Sequence, residues 1–479
     1  LYDRRVSSMT MRRLDPTQDA PANSQVGEAA APSCRTEPGL LLIFADGRPA
    51  WGLLPLGAAP VELGRGQGVL GEYEDAKMSR QHARLSFSDG LFELTELGSR
   101  NGSALDGAPL QGSTKVQAGR LLRLGHSLFL CCSDLRSFRA FGMKVELQRV
   151  EGPALQQTLR TVAHFGGFSR TLFITGESGA GKEFIAHAFH RASSEHKGPF
   201  VAVNCAAIPE GVAERLFFGA KKGAFSGAVS DSEGYIEAAD GGTLFLDEIA
   251  ELDRVVQGKL LRVIESGELL PLGATRPKKV QFRVCAATHQ DLRELAEAGK
   301  FRADLYFRIG IPQIAVPPLR ERREEIPFFI AEAVHAVARN LAVDVSLVET
   351  CLLRGWPGNV RELHAEISAA ALTARAAGKD LVMAGHLRKG AGILLQRASS
   401  PTGRPSIPTL PPDAPLPDHT PQPAMPPSRA QILATLLAED FNIAAAARAL
   451  GLHRTQLRRL LARYSIDLGK LRAVGKGAG

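Results

Sequence analysis

TLFITGESGAGKE, Thr171 to Glu183, decides the fold of the middle of this chain. Five strand-forming residues, TLFIT, run straight into a glycine-rich turn, and a helical stretch follows Lys182. Strand, turn and helix in that order are the setting in which backbone N–H groups at a helix N-terminus close around phosphate. Glycines let the turn approach its ligand, and Lys182 is placed to reach the terminal phosphates. The Ser or Thr that usually follows such a lysine is missing; Glu183 stands there. Gly176, Glu177, Ser178, Gly179, Ala180, Gly181, Lys182 and Glu183 are therefore candidate nucleotide-binding residues, although a plain Gly-rich turn would read the same in isolation.

GGTLFLDE, Gly241 to Glu248, is a second strand, and it ends in two acids. Asp247 is placed to hold Mg²⁺, directly or through water, and Glu248 to polarise an attacking water. Further strand-like runs, FVAVN and FRVCAAT, alternate with helical stretches such as VVQGKLLRVIES. This alternation predicts an α/β domain with a parallel sheet. The chemistry expected at the carboxyl edge of that sheet is hydrolysis of ATP, with Mg²⁺ as its metal.

The chain of 479 residues is 44% hydrophobic, a length that suggests about three domains. Residues 1–38 are polar and without period, and read as a disordered tail. Over 39–135, short apolar runs alternate with turn signals: LLLIF before ADG, RLSF before SDG, LFEL before GSRNG. That spacing predicts an all-β sandwich. The α/β pattern covers 143–390. Eleven prolines between Pro401 and Pro427 mark 391–427 as a semi-extended linker. Helical signals return over 428–468, and 469–479 is a basic tail. Of the net charge of +8, the stretch from Arg429 carries +6 (nine Lys/Arg, three Asp/Glu), which points to a polyanion partner.

The six cysteines, Cys34, Cys131, Cys132, Cys205, Cys285 and Cys351, show no C-x-x-C pairing, so a reduced cytoplasmic protein is expected. No run of eighteen apolar residues exists, and no membrane span is expected. The N-terminus has no apolar signal region, and the chain opens on Leu1, with Met9 and Met11 as candidate starts.

With these motifs in hand, the segment from Gln148 to Lys389 resembles the central AAA+ domain of bacterial enhancer-binding proteins, the activators of sigma-54 RNA polymerase. That family has GESGTGKE at its P-loop, so Glu183 matches it. Its GAFTGA loop, which touches sigma-54, corresponds to Gly223, Ala224, Phe225, Ser226, Gly227 and Ala228. FRADLYFRI, Phe301 to Ile309, resembles its arginine-finger segment; PPLRERREEIP and WPGNVREL resemble its helical lid. The resemblance implies that Asn204 restrains Glu248 until the ring is engaged. It implies that Arg302 and Arg308 reach into a neighbour's site, and that Arg361 senses nucleotide from the lid. Phe225 would be held out on its small-residue loop to touch a partner. Two departures stand out: Ser226 replaces Thr in the loop, and His289 replaces Asn at the first sensor position.

The β region carries ELGR, MSRQHARL and ELGSRNGSALDG, and resembles the forkhead-associated (FHA) domain, a phosphothreonine reader. Arg65, Ser79 and Arg80 would bind the phosphate and Asn101 the peptide backbone. His82 is expected to be an internal brace. The tail FNIAAAARALGLHRTQLRRLLARYSI turns at Leu450-Gly451-Leu452 and then sets Leu457, Leu460, Leu461 and Tyr464 on one face. Arg454, Thr455, Gln456, Arg458, Arg459 and Arg463 point elsewhere, as in a recognition helix. It resembles the Fis-type helix-turn-helix; a basic hairpin for dimerisation would share these features.

Together these resemblances imply a three-module fold: an FHA sandwich, an α/β AAA+ P-loop ATPase with helical lid, and an all-α helix-turn-helix. The implied function is an ATP-dependent activator that binds enhancer DNA and remodels sigma-54 polymerase holoenzyme. A phosphothreonine protein or Ser/Thr kinase supplies the input, and the chain acts as a hexamer, with a dimer at rest. Two other readings remain. One is a DNA-tethered remodeller of a different client, marked by Ser226. The other is a nucleotide-binding scaffold or repressor whose hydrolysis is slowed by His289.

Overall fold

A computed structural model describes residues 36–66, 73–146, 149–193, 198–209, 211–225 and 228–393, with isolated positions at 431, 432, 435, 446, 447, 450 and 464. The expected tail before residue 36, the linker from 394 and the basic tail 469–479 lie outside the described residues. The chain divides into two compact units, Leu1–Arg397 and Ala398–Gly479.

Among the described residues, the first unit has a sandwich of ten strands: β1 (Gly39–Ala45), β2 (Arg48–Pro55), β3 (Val61–Leu63), β4 (Ala83–Ser88), β5 (Leu91–Glu96), β6 (Ser103–Leu105), β7 (Ala108–Leu110), β8 (Ser113–Val116), β9 (Leu121–Leu124) and β10 (Ser127–Cys132). One sheet has the order β2-β1-β10-β9-β6-β7 and the other β3-β4-β5-β8. Alternation decides what each side chain buries. In β1, Leu40 and Leu42 enter the sandwich core with Leu85, Phe92 and Phe129. Their neighbours Leu41 and Ile43 face the other way and are also fully buried.

Next comes a short helix, α1 (Arg136–Phe141), and then α2 (Pro153–Gly166). Pro153 stands in the first turn of α2, where its missing N–H costs nothing. The parallel sheet has the order Phe200–Asn204, Thr243–Asp247, Arg283–Thr288, Thr171–Thr175, Gln313–Ala315. All five strands are parallel, and their registers align Asn204 with Asp247 and Thr175 with Thr288. The carboxyl ends of four strands therefore end level, and the candidate site residues sit on that edge. Helix α3 (Lys182–Arg191) follows the turn after the Thr171–Thr175 strand. The VVQGKLLRVIES stretch forms a helix, Arg254–Ser266. Asp253 caps it by accepting from the amide of Val255, and Gly267 at φ +69° closes it.

After the last strand the chain leaves the sheet for a lid: single turns at Leu319–Glu321 and Arg323–Glu325, then helices Ile326–Val337, Val345–Leu352 and Asn359–Ala376. Trp356 is its fully buried anchor, with Nε1 donating to the Cys351 carbonyl at 2.7 Å. One finding goes beyond the sequence reading. The outward face of the sandwich is covered by the lid: Leu41, Ile43, Leu121, Leu128 and Leu130 share one core with Phe329, Ile330, Ala333 and Val345. Each such side chain contributes roughly 1.5–3 kcal/mol on burial, so this contact is a structural one.

In the second unit, Ile432, Ala446 and Ala447 are buried, and the Leu450 amide donates to the Ala446 carbonyl at 3.1 Å. Among the described residues no helix is long and apolar enough to cross a membrane.

Candidate functional site

Each residue of the P-loop turn from Glu177 to Ala180 is built against the lid. Arg320 pairs with Glu177 at 2.7 Å. The Nδ2 of Asn359 donates to Glu177 Oε2 at 3.1 Å and to the Ser178 carbonyl at 3.0 Å. Arg361 donates to Ser178 Oγ at 3.2 Å, and Arg322 to the Ala180 carbonyl at 3.0 Å. Gly179 is the tightest point. Its φ is +74°, and a Cβ there would lie 2.3 Å from the Gly358 carbonyl. No L side chain fits that conformation and that gap at once. Of these lid residues only Arg361 was assigned from sequence; Asn359, Arg320 and Arg322 were missed, because nothing local to WPGNVREL or LRERREE says what they face.

Turn and lid enclose a cleft of about 490 Å³. Its polar lining includes Lys182, Glu183, Asn204, Asp247, Glu248 and Arg361; its apolar lining includes Val150, Leu155, Phe329 and Val360. Lys182 is buried, and its ammonium donates to the Gly176 carbonyl at 3.1 Å and to Glu248 Oε1 at 3.2 Å. Glu248 sits at φ +50°, a left-handed value that is strained for a non-glycine and concentrates at functional sites. Its second oxygen takes Thr288 Oγ1 at 3.2 Å and His289 Nδ1 at 2.8 Å. Burial works to raise the Glu248 pKa, but His289 and Lys182 outweigh it and hold the carboxyl below its ordinary value. Asp247 is raised instead, by burial first and by the neighbouring Glu248 charge, against the pull of Lys182.

Asn204 lines this cleft, but its Oδ1 accepts from the Ala206 amide at 3.0 Å and caps its own short turn. Its expected contact with Glu248 is made here by His289 and Thr288. The strand-end geometry explains this: Thr288 ends the Arg283–Thr288 strand and His289 follows it, beside the Thr243–Asp247 strand.

Arg302 and Arg308 do not line the cleft of their own chain. Arg302 is engaged with Asp304 through Nε at 3.0 Å and NH2 at 2.7 Å. Arg308 is exposed, on the last turn of helix Ala303–Ile309, and makes no ion pair among the described residues. The Gly223–Ala228 loop is closed by the Gly223 amide on the Ala228 carbonyl at 2.9 Å. Phe225 is 40% exposed at its tip, with the Arg215 guanidinium 5.6 Å from its ring. Ser226 and Gly227 lie outside the described residues.

On the sandwich, Gly64 lets two loops meet: a Cβ there would lie 1.9 Å from the Arg80 carbonyl. The Arg65 amide donates to the Ser79 carbonyl at 2.9 Å, which sets Arg65, Ser79 and Arg80 side by side. His82 is buried and braces this corner. It accepts from the Ser79 amide at Nδ1, 3.0 Å, and bonds the Gly102 carbonyl from Nε2, 3.1 Å. Those roles require the neutral ring, and burial lowers its pKa accordingly. Ser79 Oγ accepts from the Arg100 amide at 3.1 Å, bringing in an exposed arginine that the sequence reading left out. Asn101 Nδ2 donates to the Lys77 carbonyl at 2.7 Å. Arg454, Thr455, Gln456, Arg458, Arg459 and Arg463 lie outside the described residues.

Three family models match the chain: the FHA domain over residues 61–125, the Sigma-54 interaction domain over 149–315, and the bacterial regulatory protein, Fis family, over 428–464. The DNA-binding transcriptional regulator NtrC of Salmonella typhimurium is 46% identical over 238 residues, 49% of this chain and 50% of that protein. The anaerobic nitric oxide reductase transcription regulator NorR of Citrobacter koseri is 40% identical over 66% of this chain and 62% of its own length. A crystal structure of NtrX from Brucella abortus in complex with ATP is 28% identical, covers 65% of this chain and 67% of its own, and has a TM-score of 0.46. The chain spans about half the length of the NtrC relatives it matches.

Proposed function

Because FHA, Sigma-54 interaction and Fis-family models match this chain in that order, we propose that it is a sigma-54-dependent transcriptional activator, an enhancer-bound ATPase that remodels sigma-54 polymerase holoenzyme in the cytoplasm. The observation that carries this is the position of Glu248. It stands at the carboxyl end of its strand, in one cleft with the P-loop, and is bonded to Lys182 and His289.

The cleft fits a nucleotide. The bare backbone at Gly179 and Gly181 and the N-terminus of α3 suit phosphate, and the apolar lining residues suit a base. Mg²⁺ fits as well. Among the described residues no three acidic, His or Cys side chains gather to hold a metal alone. Mg²⁺ usually takes one or two carboxylates plus substrate phosphates, which Asp247 and the P-loop would provide. A bound Mg²⁺ would neutralise charge on the transferred phosphoryl group. Lys182 holds the terminal phosphates, and Glu248, kept ionised by its partners, accepts a proton from the attacking water. Arg308, with no use for its charge in its own cleft, is supplied to the neighbour's site. This is why a homo-oligomer is required, and a hexamer is the assembly we infer.

The test is a trapping assay with purified chain, sigma-54 and an ATP transition-state analogue. A complex that forms with the analogue and is lost in Phe225→Ala supports the reading. Absence of a complex with hydrolysis intact points to another client. Absence of both points to a scaffold.

For the sandwich we propose a phosphothreonine input through Arg65, Ser79, Arg80 and Asn101, joined by Arg100. Arg80→Ala is expected to weaken binding of a phosphothreonine peptide by about tenfold or more, the scale of a lost charge-assisted bond. Titration calorimetry checks it, with the unphosphorylated peptide as control; equal affinity for both peptides removes the input.

A further inference from the structure

The sandwich is fastened to both walls of the nucleotide cleft. On the lid side, its outward leucines lie in one core with Phe329, which itself lines the cleft. Arg123 of β9 meets Glu349 of the lid at 3.1 Å, both side chains mostly covered (28% and 13% exposed). Arg323 donates to the Gly119 carbonyl of the sandwich at 2.6 Å and to the Leu352 carbonyl of the lid at 3.1 Å. Arg323 is next to Arg322, the residue that holds the Ala180 carbonyl of the P-loop.

On the core side, the connection runs through α1. Phe138 of α1 packs on Trp51 of the sandwich, ring centroids 6.0 Å apart. Phe141 lies under the Arg160 guanidinium of α2 at 4.3 Å. The buried Gln156 of α2 donates to the Gly142 carbonyl at 3.0 Å. Leu155, beside Gln156, lines the same cleft as Phe329 and Val360.

The lid and α2, which both line the cleft, are thus tied to one β module. We propose that the sandwich is a brace across the cleft, which keeps the lid on the P-loop and slows nucleotide release. This rests on reading the cleft as an ATPase site, but not on the phosphothreonine reading. It has a thermodynamic consequence. Any ligand that changes how the sandwich seats on the lid changes nucleotide affinity, and nucleotide changes that ligand's affinity by the same factor.

The experiment uses this whole 479-residue chain and a fluorescent ADP carrying an N-methylanthraniloyl group, with its release followed by stopped flow. Arg123→Glu sets two carboxylates against each other in a mostly covered contact, and Glu349→Arg sets two cations there. Each is expected to speed release roughly fivefold, the lower range of measured couplings between sites. The double exchange Arg123→Glu with Glu349→Arg is expected to return release towards the unaltered rate. That rescue also shows that the single variants were folded. Release unchanged in both single variants overturns the brace, as does a double variant as fast as the singles. No binding of the labelled ADP to the unaltered chain overturns the ATPase reading, and the brace with it.

Discussion

Arg308→Ala is expected to lower steady-state ATP hydrolysis by ~10³-fold or more, the range for an arginine supplied in trans, with ADP affinity retained. Arg308 is exposed, makes no ion pair among the described residues and does not line its own cleft. On the reading proposed above, its charge acts at another chain's phosphate. Arg302 differs: its guanidinium is already engaged with Asp304 on both oxygens. Release from Asp304 has to come first, so Arg302→Ala is expected to cost less. Mixing settles the trans role. Arg308→Ala protomers lack a finger but keep a cleft, and Lys182→Ala protomers lack a cleft but keep a finger. Each is expected to be inactive alone and partly active together. No recovery on mixing, or lost ADP binding in Arg308→Ala, would place the arginine in its own site and refute the argument.

Glu248→Gln is expected to reduce hydrolysis by about 10²–10⁴-fold, the usual contribution of a positioned general base, while nucleotide binding persists. The amide keeps the shape and can still meet Lys182 or His289 with its oxygen, but it cannot take the proton. Burial alone would push this carboxyl up and favour its protonated form; His289 and Lys182 reverse that, so the base is ionised at neutral pH. Asn204→Ala is expected to leave basal hydrolysis close to that of the unaltered chain, because its oxygen is spent on the Ala206 amide. Single-turnover hydrolysis of radiolabelled ATP separates these cases. A rise in basal hydrolysis in Asn204→Ala would return Asn204 to the restraining role that the resemblance gave it.

The contrast between these two residues shows where sequence reading reaches its end. Glu248 was legible because strand, acid pair and P-loop are each local patterns, and a parallel sheet puts all strand ends on one edge. The partners of Glu248 were not legible. Thr288 and His289 reach it only because the Thr243–Asp247 and Arg283–Thr288 strands are neighbours in the sheet, although far apart in sequence. Asn359 is similar. It sits in a quoted motif, yet its bonds to Glu177 and Ser178 exist only once the lid has folded over the turn.

By itself the sequence determined the elements: TLFIT, FVAVN and FRVCAAT as strands, VVQGKLLRVIES as a helix, and the order of the modules. Periodicity and turn chemistry are local properties, and a chain carries them whatever surrounds it. It also held a clue left unread. LLLIF in β1 is apolar without alternation, although an antiparallel strand with one face in water should alternate. That run states that both faces are buried. Only the tertiary structure decided what covers the second face, namely the lid, and so joined the sandwich to the nucleotide cleft. Burial is non-directional, so an apolar face records that it must be covered and never by which part of the chain.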